Sequence, residues 1–505
     1  MSHLFTTLPL GARVPDNPHA VVAQLPAMSD VIGYEERRPE TMSAVRTGYP
    51  RFRQHPLVTR AARTVFLNAG LPTRALHPVA SVADAERVAA LAGLSDYGVI
   101  AAGGWALLHL LPNDPDESAR AAKLIQHTGV ALSSRQAEDW LAERDGTGTA
   151  GIAATGGGDF ETAAAVRAAL APLLAPVPPA DILPCRSGMN AFFAAFEAVR
   201  AVQRPRGRSR WLQLGWLYTD TPEVLRKCLN PAAGEGFERV ADVLDKNAVE
   251  KFFADNAGSV AGVVAETPTN PLLRTPDLAW LRALANRHGA LLVLDPSSSG
   301  LANVNVLPFA DILVCSLTKY AAHEGDVMAG VLAVNPATGD APALLAAARN
   351  TVSPAYWRDL ARLAEELKTM PAAVARMNAN AAALATWLHR QPAVRRVHWT
   401  LAPDVAPNYA AIARSPESCG CLLTIELNTP PARFYDRARC VKGPSFGTGF
   451  TIVSPYLYMA HYDLVRDAAG RRELLRCGLD PELIRISVGT ENFTDIAAML
   501  AEALG

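Results

Sequence analysis

The chain has 505 residues, with 48 Lys+Arg against 49 Asp+Glu, for a formal net charge of −1; at about 150 residues per domain this is roughly three domains or one large enzyme. Half of the residues are hydrophobic and 19% are charged, against about 25% charged in an average soluble protein. Ample apolar material excludes disorder over most of the length, and the balanced charge offers no basic field for a nucleic-acid backbone.

Seven cysteines, at 185, 228, 315, 419, 421, 440 and 477, form no CxxC pair, so a zinc ribbon or a thioredoxin-like centre has no support. Alternation in Cys421-Leu-Leu-Thr-Ile-Glu426 reads as a strand edge rather than a metal site. Their sparseness fits a reducing compartment. The start Met1-Ser-His-Leu-Phe5 lacks the charged-then-apolar build of a signal peptide. No apolar run approaches the ~20 residues that span a bilayer. The expectation is a cytoplasmic protein that acts on small molecules, with neither nucleic acid nor membrane as partner.

In chain order, residues 1–60 carry Pro, Arg and aromatic residues without sustained periodicity, as in Arg37-Arg-Pro-Glu40 and Gly48-Tyr-Pro-Arg51. They read as an extended arm reaching a neighbouring subunit. Residues 61–160 alternate helical stretches with Gly-rich breaks and read as an extra helical region. Ser81 opens a capping pattern before apolar residues at helical spacing through Ala92. Thr155-Gly-Gly-Gly-Asp159 reads as a linker with Asp159 capping the next helix, because no GKS/T follows it.

Within 161–350 the texture changes to short apolar runs at 259–265, 290–295, 312–315 and 330–334. Runs of this length without polar alternation are strands buried on both faces. Residues 278–288 read as an amphipathic crossover helix. The predicted fold class is therefore α/β, a largely parallel, doubly wound sheet whose ligand sits at the carboxyl ends of the strands. Glu266, Asp295 and Ser316 fall at those ends. Residues 351–505 begin with a long helix interrupted near Pro371. They continue as a smaller α+β domain with strands at 421–426 and 483–488 and helices at 471–477 and 494–503.

The run Cys315-Ser-Leu-Thr-Lys-Tyr320 sets a lysine just past a buried strand, between hydroxyl residues. Asp295 ends another buried strand at the same sheet edge. An amine able to form a Schiff base and a carboxylate able to keep a pyridine nitrogen protonated are the pair that pyridoxal phosphate chemistry requires. Arg186-Ser-Gly-Met-Asn-Ala191 leads into an apolar helix, and a Ser-Gly turn at a helix N-terminus presents free amides to a phosphate.

These residues resemble the pyridoxal-phosphate enzymes of Cys/Met metabolism, the cystathionine synthases, γ-lyases and homoserine sulfhydrylases. The family's ESPTNP, SxTKY and SSGMAA patterns stand here as Glu266-Thr-Pro-Thr-Asn-Pro271, Ser316-Leu-Thr-Lys-Tyr320 and Arg186-Ser-Gly-Met-Asn-Ala191. Asp326-Val-Met-Ala-Gly330 and Arg485-Ile-Ser-Val-Gly489 match its DVMGG and RxSVG. The resemblance implies the aspartate-aminotransferase-like fold type I, with a mainly parallel seven-stranded sheet flanked by helices and a smaller C-terminal domain. It implies pyridoxal 5′-phosphate as cofactor, attached to Lys319 and paired through Asp295. Ser187, Gly188, Met189, Ser297, Ser316 and Thr318 would complete the cofactor pocket, and Asn270 would touch the ring oxygen. Tyr218 would stack on the ring and assist proton transfer, with Lys319 and Asp295 as its catalytic companions. Arg485 and Ser445 would bind the substrate carboxylate. Tyr49 and Arg51 resemble the family's Tyr-x-Arg, which grips the phosphate of a neighbouring subunit, so a homodimer or homotetramer with shared sites is implied. No metal is called for.

A narrower resemblance, to the long fungal-type cystathionine γ-synthases, is carried by Pro18-His-Ala-Val21, Val31-Ile-Gly-Tyr-Glu-Glu36, Gly48-Tyr-Pro-Arg-Phe52, Gln126-His-Thr-Gly129 and Ser133-Ser-Arg135. The implied activity is γ-replacement on an activated homoserine (acetyl, succinyl or phospho) by a thiol such as cysteine. The alternatives are γ- or β-elimination, and replacement by a non-thiol nucleophile. A non-catalytic scaffold has no use for Lys319, Asp295 and Arg485 together. Four departures stand out. DNT becomes Asp295-Pro-Ser297, YGGT becomes Tyr218-Thr-Asp-Thr221, His323 falls one position earlier than the family's GH after the lysine, and Phe450 stands where many relatives have Glu near the substrate's distal end.

Overall fold

The computed structural model describes residues 5–47, 53–70, 75–110, 115–146 and 157–505. At the N-terminus a short antiparallel pair, β1 (Arg13–Val14) and β2 (Val22–Ala23), precedes helices Met28–Glu35 and Pro39–Ala44. The arm is not extended over this stretch. Leu25, Met28 and Val31 pack with Ile425, Val453 and Ile486 of the same chain's C-terminal part. The Leu25 amide donates to the Lys442 carbonyl at 2.9 Å. Two helices of one to two turns are too short to impose a readable period, which is why the sequence looked irregular there.

The extra region is not purely helical. Strands β3 (Ala75–Val79), β4 (Tyr97–Ala101) and β5 (Ala106–Leu110) form an antiparallel sheet in the order β3–β5–β4. Helices Pro56–Asn68, Val82–Ala92, Pro115–Thr128 and Ser134–Arg144 surround it. Ser81 caps the second of these as expected, its hydroxyl accepting from the Asp84 amide at 3.1 Å. The central strand β5 is buried on both faces. Leu108 and Leu110 pack with Phe192 and Phe193, whereas Leu107 packs with Trp105 and Trp140. Period-two alternation thus ties the extra region into the next domain. Five-residue strands without polar alternation were easily read as helix. The following helix is Gly157–Leu170, which starts two residues before Asp159 rather than after it.

The main sheet has seven strands: β6 (Leu183–Cys185), β7 (Arg210–Leu214), β8 (Gly236–Val240), β9 (Val260–Glu266), β10 (Leu291–Asp295), β11 (Ile312–Ser316) and β12 (Gly330–Val334). Their order is β6–β12–β11–β10–β9–β7–β8, and β12 alone runs antiparallel to its neighbours. Alternate residues serve two cores: Leu292 and Leu294 of β10 face one, Leu291 and Val293 the other. This explains the unbroken apolar runs. The crossover helix is Leu278–His288. Register pairs Asp295 with Glu266 and Ser316 with Gly330, which in turn faces Cys185. The carboxyl ends of β9, β10 and β11 and the turn after β6 therefore share one edge.

Helix Trp357–Leu388 is continuous, with Pro371 inside it rather than an interruption. Packing of Leu363, Leu367, Met370 and Val374 along the main core holds both halves in line. Proline removes one helical hydrogen bond and crowds the preceding turn, at a cost of about 3 kcal/mol in a helix interior. Pro371 is exposed, so Pro371→Ala should raise the unfolding free energy by about 1–3 kcal/mol, measured by urea denaturation. The C-terminal sheet, β13 (Val394–His398), β14 (Leu422–Leu427), β15 (Val441–Lys442), β16 (Ile452–Ser454) and β17 (Ile484–Ser487), has the order β13–β14–β17–β16–β15. Among the described residues no helix is long and apolar enough to cross a membrane, and no group of His, Cys, Asp and Glu could hold a metal ion.

Candidate active site

One cavity at the shared sheet edge is lined by Lys319, Asp295, Ser187, Gly188, Met189, Tyr218, Asn270, Ser297, Ser316, Thr318, Ser445 and Arg485. These are twelve of the fourteen residues singled out above. The other two, Tyr49 and Arg51, lie outside the described residues.

Lys319 follows β11, and its ammonium nitrogen lies 3.2 Å from Ser445 Oγ and 4.7 Å from the Phe446 ring centroid. Burial, reinforced by the Arg485 charge, lowers its pKa to about 7, against the raising influence of Asp295. An amine so tuned is available both as a nucleophile and as a base near neutrality.

Asp295 ends β10. Its Oδ1 accepts from the Ser297 amide at 2.8 Å and from the Ser297 hydroxyl, and that hydroxyl in turn accepts from the Ser316 amide at 2.7 Å. Ser297 thus orients Asp295 and joins two strand ends. Burial raises the Asp295 pKa to about 6, although both Ser297 bonds and Lys319 favour the carboxylate. Beside it sits Glu266, whose Oε1 accepts from the Tyr218 amide. Burial and the neighbouring Asp295 push its pKa well up, against the Tyr218 and Asn270 amides that favour the carboxylate, so Glu266 forms one coupled pair of buried carboxyls with Asp295. Sequence reasoning put Glu266 at the sheet edge without giving it this role.

Arg485, on β17, donates to Asn270 Oδ1 at 3.1 Å and to the Ser445 carbonyl at 2.8 Å. Its guanidinium carbon lies 4.9 Å from the Tyr456 ring centroid and 5.1 Å from that of Phe446. Ser445 adopts φ of 92°, a left-handed conformation that costs a non-glycine residue energy and persists where the surroundings impose it. It directs the hydroxyl to Lys319 and the carbonyl to Arg485.

Helix Gly188–Gln203 starts at the same edge. Its first amides lack helical partners and present positive charge. Ser187 caps it, accepting from the Asn190 amide at 3.1 Å and donating to the Gly129 carbonyl at 3.0 Å. The Thr318 hydroxyl is likewise engaged, donating to the Ala329 carbonyl and accepting from its amide at 3.1 Å. A Cβ on Gly188 would come within 2.8 Å of the Ser316 side chain, so this cradle requires glycine. Amides of Gly188 and Met189 opposite Ser316, a carboxylate and a softened lysine in one cavity are the donor set that pyridoxal phosphate fits.

Phe450 does not line this cavity. It packs with Val14, Val21 and Val22 in a separate apolar cluster, because the folded N-terminal segment occupies that side. Unforeseen wall residues come from the extra region, among them Ile125, Gln126 and Ala131. The Gln126-His-Thr-Gly129 pattern was their only signal.

Residues 177–505 match the Cys/Met metabolism PLP-dependent enzyme family. An L-2-amino-4-chloropent-4-enoate dechlorinase/desaturase of Streptantibioticus cattleyicolor is 41% identical over 494 residues, 97% of each chain. A cystathionine gamma-synthase of Neurospora crassa is 33% identical over 332 residues, 64% of this chain and 51% of its own length. Among solved structures, a cystathionine gamma-lyase from Lactobacillus plantarum complexed with L-serine superposes with a TM-score of 0.56 at 26% identity, over 68% of this chain and 85% of that one. The motifs, the sheet edge that gathers them and these relatives lead to one assignment: the chain belongs to the Cys/Met-metabolism family of fold type I enzymes, and its cofactor is pyridoxal 5′-phosphate.

Proposed function

We propose that the protein catalyses loss of a leaving group from the γ-carbon of a small α-amino acid with an uncharged side chain, an elimination that creates a new carbon–carbon unsaturation. The observation that carries this reading is the apolar wall of the cavity, built from Phe446, Tyr456, Met459, Met328 and Ile125, with Phe446 and Tyr456 against the Arg485 guanidinium. Thiol γ-replacement by cysteine would bring a second ammonium and a second carboxylate into this space. Among the described lining residues the cations besides Lys319 are Arg485 and Arg186, and Arg186 is already bonded to Gln136 at 2.9 Å. The relative that matches over 97% of this chain is named for a substrate with chlorine on its fourth, γ, carbon.

When bound, the cofactor supplies a protonated pyridine ring that withdraws electrons from the substrate's α-carbon. Lys319 would hold it covalently, with Asp295 at the ring nitrogen and the Gly188 and Met189 amides and the Ser316 hydroxyl at the phosphate. Arg485 would fix the substrate carboxylate with its planar fork. Lys319 would take the α-proton and at the end return a proton to Cα, and between these it would remove one β-proton, so the net proton lost is the β-proton. The electron pair left at Cβ forms the new bond to Cγ as the γ-substituent departs with its own bonding pair, so a proton and an anion leave together. Tyr218 would flank the ring, and Tyr49 and Arg51 would reach the phosphate of a neighbouring copy in a homodimer or homotetramer.

A second reading, γ-replacement by a thiol, is favoured by the Neurospora relative. Incubating the holoenzyme with O-acetyl- and O-succinylhomoserine, with and without cysteine, separates the two. Elimination predicts consumption independent of cysteine and preference for the uncharged acetyl ester. Cysteine-dependent formation of cystathionine would establish replacement instead.

A further inference from the structure

We propose that the C-terminal end of helix Pro115–Thr128 together with the turn that follows it, residues 125–131 of the extra N-terminal region, is a jaw of the phosphate pocket that fixes the N-terminus of helix Gly188–Gln203. The proposal rests on the reading above, in which the Gly188 and Met189 amides hold the cofactor phosphate.

Three contacts join the turn to the helix start. Ser187 donates to the Gly129 carbonyl at 3.0 Å while accepting from the Asn190 amide at 3.1 Å. Its hydroxyl proton therefore serves the turn and not the phosphate. Asn190, fully buried, donates to the Thr128 carbonyl at 3.3 Å and accepts from the Ser353 amide at 2.8 Å. It stands where the family pattern quoted above has alanine. Gly129 has φ of 69°, and a Cβ there would lie 2.2 Å from Ser187 Oγ and 2.5 Å from the Asn190 amide nitrogen. Only glycine allows so close a seat.

The turn is itself braced from behind. The Val130 carbonyl accepts from the Ala80 amide at 2.9 Å, and Ala131 bridges to Val79 at the end of β3. On its cavity side Gln126 donates to Asp220 at 2.9 Å. Force on the helix start is thus carried into the three-stranded sheet. A positioning role follows: the jaw keeps two amides aimed at a doubly charged group.

The test titrates cofactor-free protein with pyridoxal phosphate and, separately, with pyridoxal, which lacks the phosphate, reading the visible absorption of the lysine-bound aldehyde. Misaligning charge-assisted hydrogen bonds should raise the Kd of Gly129→Ala for pyridoxal phosphate by at least about tenfold while leaving that for pyridoxal within about twofold. Asn190→Ala adds no bulk and should show the same selectivity at about three- to tenfold; it decides alone if Gly129→Ala does not fold. Equal shifts for both ligands, or none, overturn the jaw. Wild-type protein that binds pyridoxal as tightly as pyridoxal phosphate contradicts the phosphate site itself.

Discussion

Lys319→Ala is expected to lower turnover by at least about 10³-fold, since one amine is asked to perform every proton transfer. The purified variant should also lack the visible absorption of a lysine-bound cofactor. A group that was merely structural would leave that absorption in place, so the spectrum and the rate together identify the role. The wild-type protein carries a related signature in its pH dependence. With the Lys319 pKa lowered to about 7 by burial and Arg485, only the neutral amine attacks the aldehyde. The rate of cofactor attachment should therefore rise as pH increases through about 7 and level off above it, roughly three units below the onset for an ordinary lysine.

Asp295→Asn should lower turnover by about 10²–10⁴-fold, because an amide cannot keep the pyridine nitrogen protonated. The same substitution should leave the cofactor-free protein at least as stable as wild type above pH 6. The sign follows from the raised pKa, about 6 in the folded protein against about 3.9 unfolded. Between those values the folded state binds more protons, so stability falls as pH rises through the window. Asparagine removes that penalty and can still accept both bonds from Ser297. Thermal unfolding of the two cofactor-free proteins at pH 7.5, beside their turnover, is the check. A variant that loses activity and stability together would indicate that Asp295 is chiefly a structural group. Opposed changes are what a site maintained at the expense of stability predicts.

The main sheet was legible because burial on both faces leaves an unmistakable signal: runs such as Leu291–Asp295 have no polar alternation and end on a carboxylate. Lys319, Asp295 and Arg485 were legible because each sits at the end of such a run or inside a short motif. The N-terminal helices and the sheet β3–β5–β4 were not, since elements of five to eight residues hold too few periods to separate helix from strand. Roles created by tertiary contact were also hidden. Nothing local marks Ser297 as the link between Asp295 and Ser316, or shows that Ser187 is engaged by Gly129. Phe450 misled because motif spacing carried it to the cavity, while the packing of Val14, Val21 and Val22 draws it elsewhere. Gln126 and Gly129 were noticed as a pattern, but their meaning depended on which helix the turn meets.

The proposed elimination is tested most directly with the γ-chlorinated compound for which the Streptantibioticus relative is named, L-2-amino-4-chloropent-4-enoate, by following release of free chloride by the holoenzyme in the absence of any thiol. Elimination gives steady chloride release, one equivalent per substrate consumed, with a product lighter by the elements of hydrogen chloride and no dependence on added cysteine. No release, or release only when cysteine is present and incorporated into the product, would contradict it.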